Sequence, residues 1–152
     1  MRSLARAGDR SELAARLGRV RPDSERLWGR MSAPQMVCHL ADNFRMALGQ
    51  VGATSPSGLL QRTVVKWIAL YAPLSWPPGI TTAPELDQAA GAGTRPTDFD
   101  ADRALALSLL GEMVAPGRRL TLPHPVFGAM SDGAWLRWGY LHTDHHLRQF
   151  GA

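Results

Sequence analysis

The sequence predicts an all-α protein, and three observations support this fold class. Apolar residues recur at intervals of three and four, as they do along one face of a helix. Runs of alternating β-branched residues, which are typical of half-buried strands, hardly occur. Proline and glycine mark the ends of the helical segments. We therefore expect a single domain over residues 1–152, a four-helix bundle with an extra short N-terminal helix and long Pro/Gly-rich connections.

The first two predicted helices differ in how clearly the sequence marks their ends. A short helix is expected over about residues 11–17, before a glycine. The second helix begins at Ser32, because Ser32 and Gln35 have the spacing of a capping box. Pro34 fits the first turn, where a missing N–H costs little. This helix is expected to extend to about Leu48.

Three further helices are predicted in the rest of the chain. The third covers about residues 57–71, and Pro73 prevents it from continuing. Residues 75–97 contain four Pro and three Gly, so we expect a long connection there. The fourth helix covers about residues 98–114 and has acidic side chains in its first turn, where the helix dipole favours them. The last covers about residues 131–149 and starts at a serine N-cap.

Composition and charge exclude several classes of function. The net charge is +4, but the 17 basic residues are spread along the chain without a basic, aromatic-rich stripe, so we expect no nucleic-acid partner. The single cysteine, Cys38, rules out an internal disulfide framework and a cysteine-based zinc finger. The most apolar stretch, residues 64–74, is too short to span a membrane, and the N-terminus lacks a signal-peptide core. We expect a cytoplasmic protein with no membrane partner.

The last helix carries the most informative pattern in the sequence. His142 and His146 are four residues apart, so they point to nearly the same side of a helix. Trp135 falls on that side and Arg148 on the opposite one, which turns the histidine pair towards the interior. Two buried imidazoles one turn apart are most simply explained by a shared metal ion. The alternative is a pair of core histidines bonded to backbone or hydroxyl groups.

A third ligand is needed, and two histidines compete for that place. His39 lies in the middle of the second helix, at the edge of its apolar side. His124 lies in a loop shortly before the last helix. The spacing alone leaves both open.

Several motifs carry a resemblance to a known superfamily. They are Trp28-Gly29-Arg30-Met31-Ser32, Gln35-Met36, His39-Leu40-Ala41-Asp42, Trp76-Pro77-Pro78-Gly79, Thr82-x-Pro84, His124-Pro125-x-Phe127-Gly128, and Tyr140-x-His142-x-x-His145-His146-x-x-Gln149-Phe150. Together they resemble the DinB-like (YfiT-like) metalloenzyme superfamily, and more narrowly an uncharacterised branch of it. The resemblance extends over about residues 26–150.

The resemblance implies an antiparallel four-helix bundle that holds a divalent metal ion on His39, His142 and His146. Zinc is the first expectation for this ion, with nickel, manganese and iron as alternatives. His145 is then not a ligand, and its expected role is packing or a hydrogen bond near the site. The relatives also suggest a homodimer.

An ion held by three histidines keeps an open position, which is typical of catalytic sites. That position suits activation of a water molecule for hydrolysis or binding of a thiolate for transfer. The resemblance implies either reaction, on a small-molecule substrate that includes a thiol in the second case. The competing hypotheses are a non-catalytic, stress-related metal-binding protein and an apolar ligand carrier with structural histidines.

Two residues are candidates for catalytic roles beside the ligands. Asn43, one turn after His39, is expected to orient a ligand or substrate. His124 is a candidate acid or base at the mouth of the site; the alternative is a histidine that orders its loop between two prolines. Asp42 is expected either to support a ligand indirectly or to be a solvated carboxylate.

Two apolar features have two interpretations each. Trp76, in the Pro-rich connection, is expected either to line a substrate pocket or to hold that loop against the protein. The third helix, with Val64, Trp67 and Ile68, has more apolar surface than one core-facing stripe requires. It is expected to be either a dimer face or a fully buried bundle helix.

Overall fold

The computed structural model describes residues 1–54 and 58–152, and it confirms the all-α prediction. About 54% of the chain is helical, and the described ranges contain no strand. The α-helices are α1 (Ala7–Arg19), α2 (Ala33–Ala47), α3 (Lys66–Tyr71), α4 (Phe99–Met113) and α5 (Asp132–Gln149). Within these ranges, no helix combines the length and the apolar character needed to cross a bilayer.

Helix starts that depend on a capping side chain lie where the sequence predicts them. Ser32 accepts a hydrogen bond from the Gln35 N–H, and the Gln35 side chain accepts one from the Ser32 N–H, which completes the capping box of α2. The Ser131 side chain accepts from the Ala134 N–H at the start of α5, and the Asp98 side chain accepts from the Ala101 N–H at the start of α4. The α1 helix is longer than predicted, because its N-cap, Arg6, makes no side-chain capping bond that the sequence could reveal.

The third predicted helix differs most from expectation. Ser57, its predicted start, lies outside the described residues, and a π-helical segment, Gln61–Val65, precedes α3. The side chains of Val64, Trp67 and Ile68 are 52%, 62% and 45% exposed. The interpretation as a fully buried bundle helix is therefore wrong, since this face is exposed in the part of the chain that the structure describes. The dimer face stays a prediction.

Helix α2 lies at the centre of the molecule. It packs along α4 and also contacts α5, which in turn contacts α1 and α3. Twelve of its 15 residues are buried, including Phe44. From α5, Trp135 and Leu147 are completely buried in the same core. Because α2 is covered on nearly all sides, its polar residues His39, Asp42 and Asn43 are buried as well.

The long connection over residues 75–97 is ordered against α2. It contains two 3₁₀ turns, Pro84–Leu86 and Gln88–Ala90. The Gln35 amide of α2 donates a hydrogen bond to the Gln88 carbonyl at 3.1 Å. The connection thereby brings backbone and side-chain acceptors to the middle of α2, where His39 lies.

Candidate metal centre

Helices α2 and α5 bring three of the predicted residues together. Ring nitrogens of His39, His142 and His146 all lie within 4.8 Å of one another, and all three side chains are buried. This cluster could hold a metal ion. The competitor His124 is not part of it, so in the described residues the third member is His39.

The spacing of the ring nitrogens fits a small divalent ion. The Nε2 atoms of His39 and His142 are 3.3 Å apart. In a tetrahedral site with metal–nitrogen bonds of about 2.0–2.1 Å, neighbouring nitrogen ligands are separated by about 3.3–3.4 Å. The observed distance therefore needs little rearrangement to become one edge of such a site.

His39 is held in the orientation that a metal ligand needs. Its Nδ1 lies 2.9 Å from the Leu86 carbonyl oxygen and 3.0 Å from Gln88 Oε1. Both partners are acceptors, so Nδ1 carries the proton and Nε2 carries the lone pair that a metal ion requires. The Gln88 amide is itself oriented, because its Nε2 donates to Asp42 Oδ2 at 2.8 Å. Such partners of the distal nitrogen fix the tautomer of ligating histidines.

Asp42 is a buried carboxylate, not a solvated one. Besides Gln88, it accepts hydrogen bonds from the Thr94 N–H and hydroxyl, each at 2.7 Å, and from the Arg45 guanidinium at 3.1 Å. Gly93, at φ +67°, allows this approach, since a Cβ there would lie 2.8 Å from the carboxylate. Of the two interpretations of Asp42, the indirect support of His39 is the one that the structure shows.

His146 has a similar partner. Its Nδ1 donates to Gln149 Oε1 at 2.9 Å, and the Gln149 amide nitrogen donates to the Trp28 carbonyl at 2.8 Å. The Leu27 N–H donates in turn to the Gln149 carbonyl at 2.7 Å. The segment before α2 is therefore attached to a member of the histidine cluster through one glutamine.

His142 differs from the other two histidines. Its Nδ1 is buried and has no hydrogen-bond partner in the described part of the chain. Its ring is instead stacked on Trp138, with centroids 4.8 Å apart and an angle of 16° between the planes. On the Nδ1 side, this imidazole is therefore held by packing on Trp138 and not by a hydrogen bond.

All three imidazoles are neutral at neutral pH, which is the form that binds metals. Burial lowers the pKa of His39, partly offset by its acceptors Leu86 and Gln88. Burial also lowers the pKa of His142 and of His146 well below the usual value, and the neighbouring imidazoles add to this effect. No proton needs to be removed from an imidazolium before an ion binds.

Asn43 lies against the cluster. Its side-chain nitrogen donates to the His39 carbonyl at 2.8 Å and lies 3.1 Å from His39 Nε2. The predicted proximity of Asn43 to the site is thus present in the structure. Its role towards a substrate stays a prediction.

His124 is placed differently from the other predicted residues. Its Nδ1 accepts hydrogen bonds from the backbone N–H groups of Val126 and Phe127, at 3.1 and 3.2 Å. The Trp138 ring contacts both His124 and His142, with centroid distances of 5.0 and 4.8 Å. Burial lowers the pKa of His124 to about 3. These contacts are those of a histidine that orders its loop, and a catalytic role for His124 stays a prediction.

His145 packs beside the cluster between two tryptophans. Its ring centroid lies 6.0 Å from that of Trp28 and 6.2 Å from that of Trp76. The Trp76 indole donates to the Ala69 carbonyl at 2.7 Å, and its ring contacts His142. Trp76 therefore holds the connection against the protein and covers the cluster at the same time.

Sequence reasoning missed Leu86 and Gln88 as partners of His39. Gln88 lies 49 residues from His39, in a segment without helical periodicity. The only signal was the length of the connection itself, since long loops in small domains often have a functional role.

A pocket of about 350 Å³ reaches the cluster at His146. One wall is the segment that contains Trp28 and Arg30, and the other contains Thr81 and Thr82. A small molecule therefore has a route to the histidine cluster. We call this space the entrance pocket.

Fold and site together define a helical protein with a buried three-histidine cluster. Residues 7–152 match the model of a family described as a protein of unknown function, DUF1569, and the chain belongs to this family. Comparison with curated proteins and with solved structures gave no match.

Proposed function

We propose that this protein is a metal-dependent enzyme that acts on a small molecule. The observation that supports it most is the combination of three buried imidazoles with a pocket that reaches one of them, His146. Structural zinc sites are usually closed by four protein ligands, whereas catalytic sites have three and an open position. In the described residues this cluster has three members, and solvent space adjoins it.

The chain's residues have distinct roles in this proposal. His39, His142 and His146 hold a divalent ion, with zinc first and nickel, manganese and iron as alternatives. Such an ion supplies Lewis-acid chemistry when bound. Gln88 and Gln149 hold the distal N–H groups of their histidines, so that the other ring nitrogens face the ion.

The reaction is hydrolysis or the transfer of a low-molecular-weight thiol. The chain has one thiol of its own, Cys38, which is buried and whose pKa is raised to about 12, mainly by burial. A reacting thiol therefore belongs to the substrate and not to the protein. Asn43, beside His39, is the side chain that we assign to orient the substrate.

Membership of the DinB-like superfamily and its antiparallel four-helix bundle belong to the same proposal. Two features of the structure support them. The helix that carries His39 packs against the helix that carries His142 and His146, and long connections join the helices.

Activity measurements test the proposal. Metal-free and zinc-loaded protein would be assayed with ester, amide and thiol-conjugation substrates, with His39→Ala as the inactive variant. We expect turnover of one class that requires the ion and is lost in His39→Ala. If the protein binds the ion but shows no ion-dependent turnover on any class, the non-catalytic metal-binding alternative is correct.

A further inference from the structure

The entrance pocket is lined by an ion pair in addition to the histidines. Apart from the neutral histidines, its lining contains two ionisable side chains, Arg30 and Asp87. The Arg30 side chain is 71% exposed, and one of its terminal nitrogens donates to Asp87 Oδ2 at 2.7 Å. This ion pair joins the two walls of the pocket.

Asp87 is already engaged by the protein. Its other oxygen, Oδ1, accepts from the Ala90 N–H at 3.2 Å and caps the 3₁₀ turn Gln88–Ala90. Its carboxylate therefore orients Arg30 instead of binding a ligand cation. A guanidinium has five N–H donors in a planar fork, so one ion pair leaves most of them for a ligand.

Two lining residues also carry a buried nitrogen atom without a hydrogen-bond partner in the described residues. These atoms are the indole nitrogen of Trp28 and the Nδ1 of His145. An indole nitrogen can only donate, and a buried donor without an acceptor is costly. Because both atoms are buried, the donors that a ligand in the pocket can reach are those of Arg30.

We propose that the entrance pocket binds the carboxylate of a small substrate, and that Arg30 is the residue that recognises it. Guanidinium and carboxylate groups form paired, charge-assisted hydrogen bonds in one plane. A volume of about 350 Å³ is at the lower end for ligand sites, which suits a short acid. The proposal rests on the proposed function, because it places the carboxylate so that the rest of the molecule reaches His146 and the cluster.

Two thiol ligands of equal length separate the effect of the carboxylate charge on binding from the effect of the ligand's shape. 3-Mercaptopropionate carries the carboxylate, and 3-mercaptopropionamide replaces it with a neutral amide. Their affinities would be measured by calorimetry on zinc-loaded and on metal-free protein. We expect the acid to bind about tenfold more tightly than the amide. The preference is expected in both forms of the protein, because Arg30 does not depend on the ion.

Arg30→Gln is expected to abolish the preference for the acid while leaving the affinity for the amide unchanged. Arg21→Gln is the matched control, because it removes the same charge from an arginine that is exposed and outside the pocket. Arg30 is exposed, so its replacement leaves the core intact; thermal unfolding checks this.

Equal binding of acid and amide to the parent protein would overturn the inference. So would a preference of the same size in Arg30→Gln, because the carboxylate would then bind elsewhere, for example to the ion itself. A protein that binds no ion but keeps an Arg30-dependent preference overturns the proposed function alone. A protein that binds the ion without such a preference overturns only the carboxylate site.

Discussion

Gln149 accepts the Nδ1–H of His146 at 2.9 Å and is the single hydrogen-bond partner of that imidazole in the described residues. Its amide nitrogen donates to the Trp28 carbonyl, which fixes the amide's orientation. His39 differs, because its Nδ1 faces both the Leu86 carbonyl and the Gln88 side chain. His146 thus depends on Gln149 alone, whereas His39 has two acceptors, Leu86 and Gln88.

This difference predicts unequal effects of two matched substitutions. Gln149→Met should weaken zinc binding by about 10–100-fold, since His146 loses the partner that orients it. Gln88→Met should weaken it by less, since the Leu86 carbonyl still accepts from His39. Competition with a chromophoric chelator measures both affinities. An equal loss in the two variants, or no loss in Gln149→Met, would contradict this account of how the histidines are held.

The buried His124 predicts a pH dependence of stability. Its pKa in the folded protein is about 3, against an ordinary value of 6.5, so the unfolded chain binds more protons between these values. The contribution of neutral His124 to the free energy of unfolding is complete above about pH 6.5 and is lost as the pH falls towards about 3. For this one group, the free energy of unfolding changes by at most about 1.4 kcal/mol per pH unit.

His124→Asn is the variant that isolates this effect. Asparagine Oδ1 can accept from the N–H groups of Val126 and Phe127, but it does not titrate. Urea unfolding of the metal-free protein at several pH values should show a shallower loss of stability on acidification in the variant. Parallel curves for the two proteins would show that His124 is not the buried neutral group described above.

Asp42 predicts a large effect of a single carboxylate on stability. Asp42→Ala would leave the Gln88 and Thr94 donors without their acceptor inside the protein. We expect a loss of about 2–4 kcal/mol in the free energy of unfolding. Asp23→Ala, at an exposed position, is the control and should change it by less than about 0.5 kcal/mol. A loss in Asp42→Ala no larger than in the control would mean that the carboxylate is not structurally important.

The features that the sequence predicts correctly depend on residues that are close together in the chain. The capping box of Ser32 and Gln35 and the i, i+4 spacing of His142 and His146 depend on residues within one turn. Burial of His39 follows from the apolar sides of its own helix. These features predict the pair on α5 and a buried His39, whereas the choice of His39 over His124 came from the resemblance and agrees with the structure.

The contacts that orient the cluster are long-range and leave no periodic signal. Gln88 reaches His39 from an irregular connection, and Trp138 contacts His124 only because the loop that carries His124 folds against α5. The π-helical segment Gln61–Val65 likewise interrupts what reads in the sequence as one continuous helix. Such features depend on which backbone groups meet in space.

The metal content of the purified protein, without a histidine tag, tests the central claim most directly. His145→Ala is the matched control, because His145 is buried next to His146 but is not part of the cluster. We predict one equivalent of a divalent ion in the parent protein and in His145→Ala. His39→Ala, His142→Ala and His146→Ala should each contain almost none while remaining folded by circular dichroism. Unchanged metal content in His142→Ala and His146→Ala would contradict the assignment of the metal centre.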